Sequence, residues 1–292
     1  MMKIGQELAR EIEGRVPHDR EIFLWWLGQS GFVIRSSKAC IVVDPYLSTT
    51  LEDATRDQPW KRHIRMMPIC VDPSQLKVDA IFCTHAHRDH YDPPTVRAIQ
   101  KSNPNIPIVA PYACVEMAER DGLKNAVPID AGITLRFTDF AVTAVPSKHN
   151  EFDHRADSGY PYLGFVFDFD GIRVYHAGDT LLYDGLAAKL GELRVQLALL
   201  PINGRTPDLI AKGFASNMNY HEAPELCKRA GIHNMIPCHY DMFTINTEQV
   251  GRFVNYANNC APDIRYWVPV IGEPCAFSLK GFLPNDKEYG EQ

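Results

Sequence analysis

The feature that most constrains the fold of this chain is a largely apolar segment, residues 78–83, that runs directly into a polar loop. An apolar run of this length, ended by polar residues, is typical of a strand that is buried on both faces. Such a strand needs covering layers on both sides of its sheet. The chain is therefore expected to fold around an interior sheet whose strand end carries the polar loop.

The order of the other predicted elements gives the fold class. Strands with glycine-marked turns are predicted at 23–27, 32–35 and 39–44, and helices alternate with further strands from residue 93 onward. This order favours an α/β protein in which two sheets pack face to face with helices outside. No linker rich in Pro, Gly or Ser divides the chain, so residues 1–292 are interpreted as a single domain. Residues 46–74 have little regular pattern and are interpreted as a functional loop or lid.

Composition excludes several classes of protein. The net charge is −6 and like charges form no long block, which argues against a nucleic-acid partner. No run approaches 18 apolar residues and the N-terminus lacks an apolar core, so we expect neither a membrane span nor a signal peptide. The eight cysteines contain no C-x-x-C pair and are typical of free thiols in a cytoplasmic protein. The oligomeric state stays open, a homo-oligomer included.

The polar loop after residue 83 contains the strongest chemical signal. His85 and His87 are two residues apart, so in an extended chain they point the same way and can hold one metal ion. Asp89 and His90 follow after the chain turns and would face a neighbouring position. Imidazole and carboxylate groups together suit zinc, manganese or iron. A plain polar loop or a structural zinc is the alternative, but structural zinc usually includes cysteine, and this loop has none.

Three further predicted strands end in residues of the same kind. His149 follows the strand at 140–146, Asp179 follows the one at 172–176, and His239 follows the one at 234–238. One shared pocket would explain why several strands end in His or Asp. Asp179 has two oxygens and could bridge two metals. A metal pair about 3.5–4 Å apart acts as a clamp on attacking and leaving oxygens.

These residues resemble a known family. The pattern H-x-H-x-D-H at 85–90, followed by His149, Asp179 and His239, resembles the metallo-β-lactamase superfamily. Further segments resemble its L-ascorbate-6-phosphate lactonase group: WWLGQSGF at 25–32, VDP at 43–45, HAGDT at 176–180 and IPCHYD at 236–241. The resemblance extends from Trp25 to His239.

The resemblance implies a four-layer αβ/βα sandwich with the site along one edge of the sheets. It implies two divalent metal ions, Mn²⁺ or Zn²⁺, held in two groups joined by Asp179: His85, His87 and His149 in one, Asp89, His90 and His239 in the other. It also implies hydrolysis by a metal-bound hydroxide. Asp89 would be catalytic, orienting that hydroxide and helping to move its proton. The implied substrate is a phosphorylated sugar lactone, a small anionic molecule.

Other polar residues are weaker candidates. His154 competes with His149 for the ligand role, although a rim position suits it better, and His176 is interpreted as a packed histidine. Arg205, in a glycine turn after a predicted strand, could bind a phosphate, and Asn203 lies beside it; a solvated turn is the alternative. The basic stretch 61–65 could line an anion pocket if residues 46–74 fold over the site.

Three other functions fit parts of this pattern. A metal-dependent phosphodiesterase or ribonuclease would use the same metal clamp. A redox di-iron protein would need a flavin domain, for which the chain has no room after His239. A catalytically inactive binding protein would not need the complete ligand set.

Overall fold

The predicted strands assemble into two mixed β-sheets in the computed structural model, which describes residues 3–284. With strands numbered in chain order, the first sheet contains β1 (Glu21–Gly28), β2 (Gly31–Ser36), β3 (Cys40–Val43), β4 (Ala80–Phe82), β5 (Ile108–Ala110), β6 (Ala126–Pro128), β14 (Pro274–Ser278) and β15 (Gly281–Phe282). The second contains β7 (Thr134–Arg136), β8 (Ala141–Pro146), β9 (Leu163–Phe169), β10 (Ile172–His176), β11 (Leu197–Pro201), β12 (Asn234–Cys238) and β13 (Arg265–Tyr266).

The two sheets have matching strand patterns. The first has the order β15-β14-β1-β2-β3-β4-β5-β6, antiparallel up to β3 and parallel from β3 to β6. The second has the order β13-β12-β11-β10-β9-β8-β7, parallel from β13 to β10 and antiparallel from β10 to β7. Each sheet therefore presents several strand carboxyl ends at one edge, where side chains can converge.

The helices pack on the sheets from outside, which completes the predicted sandwich. They are α1 (Gly5–Gly14), α2 (Thr50–Ala54), α3 (Pro93–Ser102), α4 (Tyr112–Arg120), α5 (Leu186–Glu192), α6 (Pro207–Ala211), α7 (Glu222–Ala230) and α8 (Val250–Cys260), with one 3₁₀ turn at Pro73–Gln75. Helix α4 contacts β5 and β6, and α7 contacts β11 and β12. The four-layer α/β sandwich is therefore confirmed.

Aromatic rings hold the two sheets together. The ring of Phe82 on β4 lies 5.7 Å from that of Phe165 and 4.8 Å from that of Phe167, both on β9. All three side chains are buried. Edge-to-face aromatic pairs of this kind stabilise a core beyond the burial of their area. They also fix the end of β4, and hence the polar loop that follows it, against the second sheet.

Two local predictions differ from the structure. The strand predicted at 78–83 is shorter in the structure, Ala80–Phe82, and the Asp79 carboxylate just before it accepts a hydrogen bond from the Cys40 amide. The segment 46–74, predicted to have little regular structure, contains helix α2. The 3₁₀ turn begins at its end and extends one residue beyond it. None of the helices within residues 3–284 is long and apolar enough to cross a bilayer.

Candidate metal centre

The proposed ligands converge because of the directions of their strands. The loop after β4 carries His85, His87, Asp89 and His90, and the chain segments after β8, β10 and β12 carry His149, Asp179 and His239. Strands β8 and β10 both run antiparallel to β9, so they point the same way, and β10 to β12 are parallel. Their carboxyl ends therefore share one edge of the second sheet, opposite the end of β4.

The first group of ligand atoms comes from His85, His87, His149 and Asp179. These atoms all lie within 4.8 Å of one another. His85 Nε2 is 3.0 Å from His87 Nδ1, and His149 Nε2 is 3.5 Å from Asp179 Oδ2. All but His87 are buried. Three imidazoles and one carboxylate within this distance match the donor set of a zinc or manganese site.

The second group comes from Asp89, His90 and His239, again within 4.8 Å of one another. His239 Nε2 lies 3.6 Å from Asp89 Oδ2 and 3.3 Å from Asp179 Oδ2. His90 Nε2 lies 3.3 Å from the other oxygen, Asp179 Oδ1. Asp179 therefore stands between the two groups and is in reach of histidines from both.

A layer of hydrogen bonds orients these rings. His90 Nδ1 lies 2.7 Å from Asp44 Oδ2, and Asp44 also accepts hydrogen bonds from the amide and the hydroxyl of Thr84. His149 Nδ1 lies 3.0 Å from the Ser216 carbonyl oxygen, which can only accept, so Nδ1 carries the proton. The Nε2 atoms of His90 and His149 therefore face the site. A histidine backed by a carboxylate or a carbonyl is the usual arrangement around a protein-bound metal.

The pKa values of two histidines in the first group and of Asp179 suit metal binding. Burial lowers the pKa of His85 well below its usual value and that of His149 to about 4, so both rings are neutral at pH 7, as a ligand must be. Burial alone would raise the pKa of Asp179, but the charges of His239 and His90 outweigh it and hold that pKa well below the usual value. The carboxylate between the two groups is therefore ionised.

Two buried atoms indicate which kind of group the site would bind. His90 Nε2 and Asp179 Oδ1 are inaccessible to solvent and make no hydrogen bond of good geometry, although they lie 3.3 Å apart. Buried polar atoms without a partner are costly and rare in native proteins. A cation bound between imidazole and carboxylate would satisfy both. The residues present therefore fit a divalent metal ion.

Five members of the two groups form the floor of a cavity of about 400 Å³: His87, Asp89, His149, Asp179 and His239. Residues of the segment 46–74 form its roof, as do others from 213–215: Leu51, Ala54, Thr55, Gln58, Lys61, His63, Gly213, Phe214 and Ala215. Lys61 Nζ donates to the Gly213 carbonyl oxygen at 3.0 Å and lies 4.9 Å from the centre of the Phe214 ring. The segment predicted as a lid therefore lies over the site.

His63 lines the cavity as part of the basic stretch 61–65, although it carried no signal as a single residue. It is buried, and its ring lies 5.4 Å from that of Phe214 and 5.1 Å from that of Phe243. A lone histidine in an irregular segment carries no spacing signal, and its two aromatic neighbours are about 150 and 180 residues away in the chain. The basic stretch 61–65 was the only available sign that this part of the chain approaches the site.

The predicted substrate contacts lie away from the cavity lining. The Arg205 guanidinium donates to both carboxylate oxygens of Glu222, at 2.7 and 2.8 Å, and to the Asn217 carbonyl. Its donors are thus committed within the protein. Asn203 is buried and donates to the side chain of Asn246, which does line the cavity. Phosphate binding by Arg205 and Asn203 stays a prediction, with Asn203 one side chain removed from the cavity.

The two other histidines considered as candidates, His154 and His176, have contacts elsewhere. His154 is exposed and packs edge-on against Tyr160, with ring centres 4.7 Å apart. His176 is buried; its Nε2 lies 2.7 Å from the Ser30 carbonyl oxygen, and its Nδ1 accepts from the Gly178 amide. Both nitrogens of His176 are therefore used in packing. Gly178 has a φ of +57° and a Cβ there would lie 2.7 Å from Thr84, so only glycine fits between the two sheets here.

Comparisons with known proteins agree with this fold. The family model described as the beta-lactamase superfamily domain matches residues 40–240. A UPF0173 metal-dependent hydrolase of Archaeoglobus fulgidus is 30% identical over 226 residues, which cover 75% of this chain and 84% of that relative. The chain therefore belongs to the beta-lactamase superfamily and, within it, to the UPF0173 metal-dependent hydrolase family.

Solved structures with the same fold differ in chemistry. The isothiocyanate hydrolase from Delia radicum gut bacteria has a TM-score of 0.71 and 19% identity, covering 88% of this chain and 99% of that one. CmlA, a diiron β-hydroxylase from Streptomyces venezuelae, has a TM-score of 0.60 and 15% identity, covering 90% of this chain and 55% of that one. The fold is thus shared by proteins of different reactions, and the reaction has to be argued from the residues of the site.

Proposed function

We propose that this protein is a metal-dependent hydrolase that opens a phosphorylated sugar lactone, using two divalent cations. The observation that carries the proposal is the pair of His/Asp groups, with Asp179 between them, at the floor of a 400 Å³ cavity. Relatives named metal-dependent hydrolases support the reaction type. The lactone is supported by the motif resemblance in the sequence.

The cations would be held by the two groups of residues described above. When bound, a divalent cation pair polarises a carbonyl oxygen and lowers the pKa of water to about 7. The protein supplies the geometry: Asp44 fixes the His90 ring, and the Ser216 carbonyl fixes that of His149. Such partners keep the ligands oriented without reorganisation during the reaction.

Asp89 has the position of a general base. Its carboxylate lines the cavity and is partly exposed, so it can reach a water molecule as well as a cation. Burial would raise the pKa of Asp89, but the charges of His90 and His239 hold it below its usual value. The carboxylate is ionised at neutral pH, and it can orient a water molecule and accept its proton.

Two cationic side chains line the same cavity and suit an anionic substrate. Arg88 is exposed, and the described structure gives it no hydrogen-bond or ion-pair partner. Lys61 faces the cavity from the roof. An uncommitted guanidinium next to a metal site can bind a phosphate in bidentate fashion. We therefore assign the anion-binding role to Arg88, with Lys61 opposite, ahead of the paired Arg205.

A substrate panel tests the proposal. The Mn²⁺- and Zn²⁺-loaded proteins would be assayed with phosphorylated sugar lactones, the same lactones without phosphate, and a bis-aryl phosphodiester. We expect the phosphorylated lactone to have the highest kcat/KM. Arg88→Met should raise its KM about tenfold, since a hydrogen bond to a charged group contributes about 1.5–3 kcal/mol. Arg97→Met, at an exposed arginine bonded to the Asp121 carbonyl, is the matched control.

The same panel identifies the outcomes that contradict the proposal. Turnover of the phosphodiester with no turnover of any lactone would replace it by the phosphodiesterase alternative. Equal kcat/KM for lactones with and without phosphate would show that the substrate need not be anionic. The proposed lactone hydrolysis itself would still stand. No hydrolysis by a protein that binds both cations would contradict the reaction type.

A further inference from the structure

The side chain of Gln29 makes close contacts at the second group of ligand atoms. Its amide nitrogen donates to Asp89 Oδ2 at 2.8 Å and lies 3.1 Å from His239 Nε2. Those two atoms are themselves only 3.6 Å apart. The residue is 2% exposed, so the amide is enclosed with the cluster. One nitrogen therefore approaches two proposed ligand atoms at once.

The backbone of Gln29 is held at this place independently of its side chain. Its carbonyl oxygen accepts hydrogen bonds from the Trp26 indole and from the His239 amide, both at 2.9 Å. Its φ of +51° belongs to the tight turn between β1 and β2. These contacts involve only main-chain atoms of Gln29. A side-chain substitution therefore leaves the turn and its link to His239 in place.

The partial positive charge on the Gln29 amide N–H affects how this side chain would respond to a bound cation. An N–H that approaches a carboxylate oxygen and an imidazole nitrogen carries partial positive charge to atoms whose lone pairs a cation would also use. Once a cation takes the single lone pair of His239 Nε2, the N–H loses that acceptor, and the positive charge of the cation repels it. The terminal amide torsion of glutamine is broad and roughly two-fold, so a half turn exchanges nitrogen for oxygen at little cost. An amide oxygen is a ligand that hard divalent cations accept.

We propose that Gln29 is a further ligand residue of the second cation position, an inference that rests on the metal centre of the proposed function. In the cation-free protein its N–H groups hold Asp89 and His239 together. In the loaded protein its carbonyl oxygen faces the cation. Because amide oxygen suits manganese better than zinc, Gln29 raises the preference of this position for Mn²⁺.

Metal titration of the full chain tests this assignment. Gln29→Met keeps the length of the side chain and removes the amide, whereas Gln29→Glu keeps an oxygen. Gln58→Met is the matched control, because Gln58 lines the same cavity but bonds only to the Ala54 carbonyl. Cations per chain would be measured by elemental analysis, and affinities by competition with a chelator. We expect Gln29→Met to weaken the second Mn²⁺ by about tenfold, Zn²⁺ by less, and the first cation not at all.

The outcomes separate this inference from the proposed function. A parent protein that binds fewer than two cations contradicts the metal centre itself. A parent that binds two cations, with the second Mn²⁺ equally tight in Gln29→Met, overturns the role of Gln29 alone. Circular dichroism and Trp26 fluorescence check the fold. If Gln29→Met does not fold, Gln29→Glu decides: second-site Mn²⁺ binding at least as tight as in the parent supports the inference, and weaker binding overturns it.

Discussion

The floor and the roof of the cavity are built in different ways. The floor consists of residues at strand ends, most of them buried, and hydrogen bonds orient some of their rings, such as His90 on Asp44 and His149 on the Ser216 carbonyl. The roof is an irregular segment with large exposed apolar side chains, among them Trp60, Ile64, Met66 and Ile69. From this difference we propose that the floor fixes the chemistry, while the roof determines which molecules reach it.

The largest effect is expected from Asp179→Asn on the floor. The variant removes the carboxylate that reaches histidines of both groups. We expect loss of bound cation and a fall in kcat/KM of about a thousandfold or more, because a metal contributes several kcal/mol to a transition state and each 1.36 kcal/mol is tenfold. Elemental analysis and steady-state kinetics measure both. A variant that keeps its cations and its activity would contradict the role of Asp179.

Asp44→Asn should have a smaller effect on the same floor. The amide keeps an oxygen for the Thr84 amide and loses the negative charge beside His90. We expect metal affinity to fall about 10–100-fold, as is usual when a carboxylate behind a ligating histidine is removed. Chelator competition measures the affinity, and thermal unfolding of the cation-free protein is the control. Unchanged affinity would mean that Asp44 serves the fold alone.

Arg65→Met tests the roof without touching the floor. Arg65 donates to the carbonyls of Ser48 and Met67 and lies 5.0 Å from the centre of the Tyr46 ring. It therefore connects different parts of the segment 46–74 to one another. We expect the segment to exchange amide hydrogen faster and to open more easily by about 2 kcal/mol, the typical size of a hydrogen bond to a charged group. Cation affinity should stay the same. If Arg65→Met lowered cation affinity as much as Asp44→Asn does, the claim that only the floor determines cation binding would be contradicted.

The smallest effect is expected outside both regions, from Glu222→Gln. Burial opposes ionisation of Glu222, but hydrogen bonds from Arg205 lower its pKa below the usual 4.5. The ion pair therefore stabilises the fold above about pH 4.5, and this contribution is lost as pH falls through the lowered pKa. Because Arg205 is partly exposed, we expect a loss of less than about 1 kcal/mol in the free energy of unfolding at pH 7.

Denaturant unfolding at several pH values measures this contribution. The difference in free energy of unfolding between the parent and Glu222→Gln should shrink as the pH falls below 4.5 and through the lowered pKa of Glu222, and the substitution should not alter KM. An increase in KM for the anionic substrate would instead favour the role that the sequence predicted for Arg205.

The same division explains what could be predicted from the sequence. Apolar runs precede His85, Asp179 and His239 and predict strands that end at these residues. Both sheets and the polar floor could therefore be predicted. The ion pair of Arg205 could not be predicted from its turn alone, because its partner Glu222 is 17 residues away and comes close only through the fold. His63 gave no signal for the same reason: its aromatic neighbours belong to distant loops.

The most direct test of this account is the number of divalent cations bound per chain in the active protein. Elemental analysis after loading with Mn²⁺ and removal of excess metal should give two cations per parent chain, with activity following their removal and return. A fully active protein that holds no divalent cation, or only one, would contradict the two-cation floor on which the account rests.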